Sequence, residues 1–161
     1  MVSLPPFDHV VTEHGPVVLR VCRAVVGPDD AEDAWSETFL SALRAYPDLQ
    51  PDSDVRAWLV TIAHHRSIDL LRRRSRTPQP TEGVEDVAAP DPGGPHLDGD
   101  LQAAVRALPP KQRAAVAYRY LADLSYAQIA ELLDSSEVAA RRSAADGIAA
   151  LRAHHLEGVA R

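Results

Sequence analysis

The sequence has one cysteine, Cys22, so it can form no intrachain disulfide and lacks the paired cysteines of common zinc sites. Aromatic residues make up only 5% of the chain, which means that any core is built mainly from Ala, Leu and Val. No stretch approaches the roughly 18 apolar residues of a membrane span, and the N-terminal residues lack the basic start and apolar run of a signal peptide. These absences predict a cytoplasmic protein in a reducing compartment, with no membrane insertion.

The motifs of common catalytic sites are also missing. There is no glycine-rich phosphate-binding loop, no metal-ligand cluster and no Cys/His or Ser/His arrangement of recognisable spacing. The adjacent His64 and His65 would point in different directions on a helix, so they do not predict a metal site. We therefore expect a protein that is not an enzyme and that uses no metal or cofactor, with Cys22 as a packing residue.

Basic residues are absent from residues 77–100, which hold six Asp and Glu and no Lys or Arg. Residues 1–76 carry 9 basic and 11 acidic side chains and residues 101–161 carry 8 and 6, so most of the net charge of −6 lies in the middle segment. With five prolines, four glycines and few apolar residues, that segment cannot bury enough surface to offset the cost of ordering. We predict two small domains, residues 1–76 and 101–161, joined by a flexible acidic Pro/Gly-rich linker at 77–100.

Both domains are predicted to be all-α, since no window shows the strict alternation of a strand. In residues 7–25 the apolar side chains recur with helical period, and Pro16 is expected to kink or break that helix. A second helix begins near Pro28, with acidic residues in its first turn, and ends at Pro47.

A third helix completes the first domain. Asp52 or Ser53 is expected to cap its N-terminus, and Trp58 is expected to lie in the core. The helix ends in the basic cluster at residues 72–76.

The second domain is predicted to begin with a helix that ends at Leu108. Pro109 and Pro110 break it, and another helix is expected from Lys111 to about Leu121. This arrangement leads directly into a helical hairpin.

In that hairpin, Ser125 and Gln128 have the spacing of a capping box at the start of a short helix. A three-residue turn at 134–136 precedes a longer helix from about Glu137 to His154. A short helix, a tight turn and a longer helix form the helix-turn-helix pattern, whose second helix enters the DNA major groove, although helical hairpins without a DNA role share it. Four residues of the last helix are expected to face its partners: Val138, Ala144, Ile148 and Leu151.

Three stretches carry a resemblance to a known family. "DDAEDAWSETFLSAL" resembles the region-two helix that docks on the polymerase clamp in extracytoplasmic-function (ECF) sigma factors, the smallest bacterial sigma-70 relatives. "VRAWLVTIAHHRSIDLLRRR" resembles the helix that meets the promoter −10 element, and "LPPKQRAAVAYRYLADLSYAQIAELLDSSE" resembles region four, which reads the −35 element. The resemblance implies a transcription initiation factor whose partners are the clamp and flap of core RNA polymerase, promoter DNA and an anti-sigma factor.

Carried onto this chain, the resemblance implies three sets of contact residues. The core-polymerase set lies on the second helix: Asp30, Asp33, Ser36, Glu37, Leu40 and Arg44. The −10 set lies on the third helix and the loop before it: Asp48, Ser53, Arg56, His64, His65, Arg66, Asp69, Arg72, Arg73 and Arg74. The −35 set lies in the second domain: Lys111, Arg113, Arg119, Tyr126, Ser135, Ser136, Glu137, Arg141, Arg142 and Ser143.

The chain departs from the family pattern at several of these positions. Ser36 stands where the family usually has glutamine, and His65 where it usually has asparagine. In the last helix, Ala145, Asp146 and Gly147 replace polar and basic positions. Asp146 would repel phosphate if it faced the DNA backbone, and glycine inside a helix costs about 1 kcal/mol relative to alanine. We therefore expect a weaker or differently aimed contact with the −35 element.

Other interpretations remain open on the sequence alone. The acids at the start of the second helix are also explained as partners of the helix dipole. The acidic segment suits the RNA-holding channels through which this segment threads in relatives, and it is also explained as a solvated tether. A sigma-like DNA-binding regulator that does not direct polymerase, or a protein that mainly binds an anti-sigma factor, would show the same motifs.

Overall fold

The computed structural model describes residues 3–76 and 99–159, which form seven α-helices. The chain divides into two units, Met1–Gly94 and Pro95–Arg161. The described ranges contain no strand, so the predicted all-α class is confirmed. None of the helices described is both long and apolar enough to cross a bilayer. The predicted linker lies, from residue 77 to 98, outside the described residues, and its last two positions belong to a helix.

The first unit contains three helices that pack against one another. They are α1 (Phe7–Val26), α2 (Ala31–Ala45) and α3 (Val55–Arg76), with a short 3-10 turn, Tyr46–Asp48, after α2. Their apolar faces meet in a core that includes Val10, Val18, Val21, Cys22, Phe39, Leu59 and Val60.

Helix α1 continues through Pro16, so the predicted break does not occur. Pro16 and Thr12 are both exposed, and water can therefore satisfy the Thr12 carbonyl that the missing N–H leaves without its helical bond. The adjacent Gly15 is buried against α2, where the Trp35 indole N–H donates to the Gly15 carbonyl at 3.0 Å. Helix α2 thus contacts α1 at the residue immediately before the proline.

The start of α3 differs from the prediction by one residue. Asp54, rather than Asp52 or Ser53, caps the helix, because its Oδ1 accepts a hydrogen bond from the Ala57 N–H at 3.1 Å. Trp58 is half-buried instead of fully in the core, and its ring lies 6.3 Å from that of Tyr46.

The second unit contains four helices: α4 (Gly99–Ala107), α5 (Pro110–Val116), α6 (Tyr126–Leu133) and α7 (Glu137–Val159). A π-helical turn, Ala117–Leu121, extends α5. Its core includes Val105, Leu108, Val116, Tyr118, Leu124, Ile129, Ala140 and Ala144.

The prolines after α4 end that helix, as predicted. The next helix, expected to run to Leu121, changes from α-helical to π-helical geometry in its last turn. Ala122 donates to the Ala117 carbonyl at 3.3 Å, a bond that spans five residues and widens the turn. This geometry buries Tyr118 and leaves Tyr120 57% exposed.

The predicted capping box is present at the start of α6. The Ser125 N–H donates to Gln128 Oε1 at 2.9 Å and the Gln128 N–H donates to Ser125 Oγ at 3.1 Å. Asp134 ends the helix in the left-handed conformation, with φ of 51°, and Ser136 caps α7 by accepting from the Ala139 N–H at 3.0 Å. The helix-turn-helix geometry is therefore fixed by local bonds, and α7 continues past the predicted end.

The prediction for the inner face of α7 was wrong at one position. Ala144 is buried and Ile148 and Leu151 are partly buried, as expected, but Val138 is 77% exposed. Val138 is the second residue of the helix, and it lies on the face away from the buried Ala140.

Candidate polymerase and nucleic-acid interfaces

A groove between α2 and α3 brings together residues from two of the predicted contact sets. Its basic side chains outnumber its acidic ones by five to two. Core-polymerase candidates from α2 and −10 candidates from α3 thus share one surface. The lining residues are Glu37, Leu40, Ser41, Arg44, Arg66, Asp69, Arg72, Arg73 and Arg76.

The two acids of the groove are already paired within the unit. An Arg73 nitrogen lies 3.2 Å from both carboxylate oxygens of Glu37, and Arg66 lies 3.4 Å from Asp69. These pairs are exposed, so each contributes little to stability. Because the acids are occupied, the groove presents net positive charge through its remaining arginines. Three of them have no ion-pair partner in the part of the chain that the structure describes: Arg44, Arg72 and Arg76.

Beside the groove, α2 exposes apolar side chains. Leu40 is 55% exposed and Leu43, one turn further along, is 51% exposed. Asp33 and Ser36 are also exposed on this helix. The sequence prediction included Leu40 but missed Leu43, although the spacing of three residues could have identified it.

Asp30, one of the predicted polymerase contacts, is buried in an ion pair with the exposed Arg74. The Asp30 side chain is 7% exposed and forms an ion pair with Arg74. Burial raises the pKa of Asp30; Arg74 opposes the shift, while Asp29 and Asp33 add to it. The pair joins the start of α2 to the end of α3, so Asp30 has a structural role in place of the predicted polymerase contact, while Arg74 stays exposed.

His64 is buried, so its predicted direct contact with DNA is replaced by a packing role. His65 is exposed, and the two imidazole centroids lie 5.7 Å apart. Within the described ranges, no group of three or more His, Cys, Asp or Glu could hold a metal ion.

The remaining −10 candidates lie near the loop between α2 and α3. Asp48 is exposed, while Ser53 and Arg56 are half-buried. The half-buried rings of Tyr46 and Trp58 stand at either end of this loop. Trp58, which was predicted to lie in the core, instead forms with Tyr46 a half-buried aromatic surface beside the loop.

In the second unit, two arginines lie over one tyrosine ring. The guanidinium carbons of Arg119 and Arg141 lie 4.6 and 4.5 Å from the centroid of Tyr126. Arg119 also donates to the Leu124 carbonyl at 3.0 Å, and Arg141 lies 3.6 Å from Glu137. Both predicted contact residues are therefore held in place by the helix-turn-helix itself.

The remaining members of the −35 set divide into two unpaired basic side chains and three serines that the fold already uses or partly covers. The side chains of Arg142 and Lys111 are exposed and have no hydrogen bond or ion pair with any other described residue. Ser136 is used as a cap, Ser135 donates to the Ser136 carbonyl at 3.3 Å, and Ser143 is partly buried.

Arg113 has a structural role instead of the predicted phosphate contact. Its guanidinium donates to the carbonyls of Arg106 at 2.7 Å and Leu108 at 3.1 Å, at the end of α4. Burial lowers the pKa of Arg113, and the nearby Arg106 charge lowers it further. The side chain thus satisfies carbonyls that the helix end leaves without partners.

Gly147 is explained by packing rather than by DNA contact. It is buried, and an added Cβ would lie 2.5 Å from Val116 Cγ2 and 3.4 Å from the Gln112 carbonyl oxygen. Glycine is therefore required for the close approach of α7 to α5. Ala145 and Asp146 are both exposed. Of the three departures from the family pattern in α7, only these two therefore lie where they could affect contact with DNA.

Comparisons with known proteins agree with this architecture. Residues 10–77 match the model of sigma-70 region 2, and residues 98–151 match the model of sigma-70 region 4. The chain is 34% identical over 140 residues to the ECF RNA polymerase sigma factor SigE of Mycolicibacterium smegmatis, covering 81% of this chain but only 54% of that protein. It is 32% identical over 156 residues to the RNA polymerase sigma factor CarQ of Myxococcus xanthus, covering 91% of this chain and 87% of that protein.

A solved structure shares the fold. It is the sigma factor RpoE in complex with the anti-sigma factor NepR from Bartonella quintana, with a TM-score of 0.73, 18% sequence identity, and coverage of 92% of this chain and 95% of that chain. The two family models together cover most of the chain, and they define it as a sigma-70 protein with regions 2 and 4. The chain belongs to the sigma-70 family, in its ECF group, whose members are transcription initiation factors.

Proposed function

We propose that this chain is a promoter-specificity subunit of bacterial RNA polymerase that acts in the cytoplasm without catalytic residues of its own. The first unit docks on core polymerase and holds the opened −10 element, and the second reads the −35 element. The observation that carries this proposal is the capped helix-turn-helix, in which the N-terminal turns of α7 are exposed. In DNA-binding proteins of this design, those turns contact base edges in the major groove.

The core-docking surface of the proposal is the outer face of α2. Leu40 and Leu43 supply apolar area, and Glu37 and Arg44 supply charge at the edge of the groove. Exposed apolar residues bounded by polar ones are typical of protein interaction sites. This surface needs no rearrangement of the unit to become accessible.

The −10 element is proposed to meet the loop at residues 49–54 and the start of α3. Single-stranded bases stack on aromatic rings, and Trp58 offers a half-buried ring next to Tyr46. Arg56 and the exposed His65 also lie on α3, and either side chain can contact phosphates or base edges. Stacking offsets the few kcal/mol required to remove a base from the duplex.

The −35 element is proposed to meet the start of α7. Arg142 is exposed, and a guanidinium in the major groove can bind guanine through two hydrogen bonds. Arg141 is oriented by Tyr126 and Glu137, and Lys111 is available to a phosphate.

An anti-sigma factor is proposed as the regulatory partner. The structurally similar RpoE is bound to the anti-sigma factor NepR. On this chain, the exposed leucines of α2 are the surface where such a protein would compete most directly with polymerase. That competition would keep the chain inactive until the partner is released.

Run-off transcription tests the proposal. Purified core polymerase would transcribe a pooled genomic promoter library with and without this protein, followed by mapping of the 5′ ends. Defined starts that require the protein and share two spaced upstream elements are expected. DNA binding that needs no polymerase, with no new starts, would instead identify a regulator that does not direct polymerase.

A further inference from the structure

The inner and outer faces of α7 can be separated by burial. Ala140, Ala144 and Gly147 are buried, and their spacings of four and three residues define one inner stripe. An α-helix advances about 100° per residue, so residues two positions before or after a buried one lie roughly on the opposite side of the helix. The outer stripe is formed by four such residues. These are Val138, Arg142, Ala145 and Ala149, and all four are exposed.

This outer stripe has an unusual composition for a helix expected to meet DNA. Arg142 is the only charged residue among these four and the other three are apolar, while the exposed Asp146 lies beside Ala145 at the edge of the stripe. Val138 is the largest of them, is 77% exposed, and stands in the first turn, where a recognition helix reaches base edges. Ala145 and Ala149 add little bulk, so the backbone of α7 can approach the groove floor closely.

An apolar side chain in the major groove has one specific target. Each base edge there presents hydrogen-bonding groups, and the C5-methyl group of thymine is the apolar exception among them. Val138 has no polar side-chain atom, so it can discriminate between bases only through contact with that methyl group or through exclusion of polar edges.

We propose that Val138 is a specificity-determining residue that selects thymine in the upstream promoter element. This inference rests on the proposed function. Arg142 lies four residues further along the same stripe, which is a rise of about 6 Å, or about two base pairs if α7 follows the groove. The upstream element should therefore combine a guanine bound by Arg142 with a thymine contacted by Val138 about two base pairs away.

Uracil substitution tests this proposal, because it removes the methyl group and leaves the hydrogen-bonding edge unchanged. A promoter identified by transcript mapping would be assembled with uracil in the upstream element only, so that the −10 element keeps its thymines. Wild-type protein, Val138→Ala and Leu156→Ala would then be compared on both templates with core polymerase. Leu156 is a matched control, since it is 67% exposed on the same helix but lies near its other end.

For the wild type, output on the uracil template should fall about fourfold per contacted thymine, the equivalent of one buried methyl group. Val138→Ala should lose a similar factor on the thymine template and show no further loss with uracil. Leu156→Ala should behave as the wild type. A wild type insensitive to uracil, or a Val138→Ala variant as sensitive as the wild type, would overturn the inference alone. The absence of any protein-dependent start would overturn the proposed function and the inference together.

Discussion

Gly147 of α7 faces Val116 of α5 so closely that a Cβ atom on the glycine would lie 2.5 Å from Val116 Cγ2. Alanine normally stabilises a helix interior by about 1 kcal/mol relative to glycine. Here the added methyl group must displace a β-branched side chain in the core, and overpacking of this kind costs about 1–3 kcal/mol. The clash therefore outweighs the gain in helix propensity.

Gly147→Ala is expected to lower the free energy of unfolding of the second unit by up to about 2 kcal/mol, which is the overpacking cost less the gain in helix propensity. Urea denaturation followed by far-UV circular dichroism measures this loss. Tryptophan fluorescence reports separately on the first unit, because both tryptophans lie there. Gly158→Ala is the matched control on the same helix, since nothing lies within 4 Å of an added Cβ at that position. Equal effects of the two substitutions would contradict the packing account.

The Asp30–Arg74 pair should respond unequally to the loss of its two members. Asp30→Asn leaves Arg74, which is 46% exposed and can be hydrated, whereas Arg74→Ala leaves a carboxylate that is 7% exposed. Because an unpaired buried charge is costly, Arg74→Ala should destabilise the first unit by about 1–3 kcal/mol more than Asp30→Asn at pH 7. Urea unfolding followed by tryptophan fluorescence would measure the difference.

The pH dependence of that difference follows from the direction of the pKa shift. Burial already raises the pKa of Asp30 above its usual 3.8, and removing Arg74 raises it further. The folded state then holds the proton more tightly than the unfolded state, so the penalty is present above the folded-state pKa of Asp30. It should shrink as the pH falls through that pKa towards 3.8, and a penalty that grows on acidification would refute the assignment.

Tyr126 should act on DNA recognition through Arg141. Tyr126→Ala removes the ring over which Arg141 lies. A cation–π contact is worth about 0.5–1 kcal/mol, so −35-dependent transcription is expected to fall about twofold to fivefold. Tyr126→Phe keeps the ring and should retain activity. If Tyr126→Phe lost as much as Tyr126→Ala, the hydroxyl rather than the ring would be responsible.

Arg142→Ala should have a larger and more sequence-dependent effect. Loss of a two-bond contact with guanine costs about 1–3 kcal/mol of discrimination, so the preference between the native upstream element and one with that base changed should collapse. Lys111→Ala is the comparison, because a phosphate contact weakens binding to both elements alike. Competition between the two templates in one transcription reaction distinguishes these outcomes.

Leu40→Ser is expected to weaken binding to core polymerase at least tenfold, which corresponds to about 1.4 kcal/mol. The substitution replaces an exposed apolar side chain at the centre of the proposed docking surface with a polar one. Leu101→Ser is a suitable control, since Leu101 is 39% exposed on α4, in the other unit. Surface plasmon resonance with immobilised core polymerase would give both affinities. An unchanged affinity for Leu40→Ser would remove this face of α2 from the proposed interface.

Cys22 should be inert towards thiol reagents in the folded protein. Burial raises its pKa to about 12, while a hydrogen bond with Ser67 opposes the shift. At pH 8 only about one molecule in ten thousand would carry the reactive thiolate. Labelling with iodoacetamide should therefore be slow until urea unfolds the first unit, and rapid labelling without urea would contradict the burial of Cys22.

Local patterns explain why much of the fold was predictable. The helical period of apolar residues, the proline break before α5 and the Ser125–Gln128 capping box depend on neighbours within about one turn, so the sequence alone determined them. The order of the sigma-like motifs can also be read directly from the sequence. These features established the all-α class, the helix-turn-helix and the family.

The tertiary structure decided which side chains remain available for contacts. Asp30 meets Arg74 across 44 positions and Glu37 meets Arg73 across 36, so no local pattern could identify these pairs. Gly147 is needed only because α5 approaches α7 at that point. Burial and pairing depend on how helices pack, and packing joins residues that are distant in sequence. The sequence therefore determined the candidates, and the folded core selected which of them can reach polymerase or DNA.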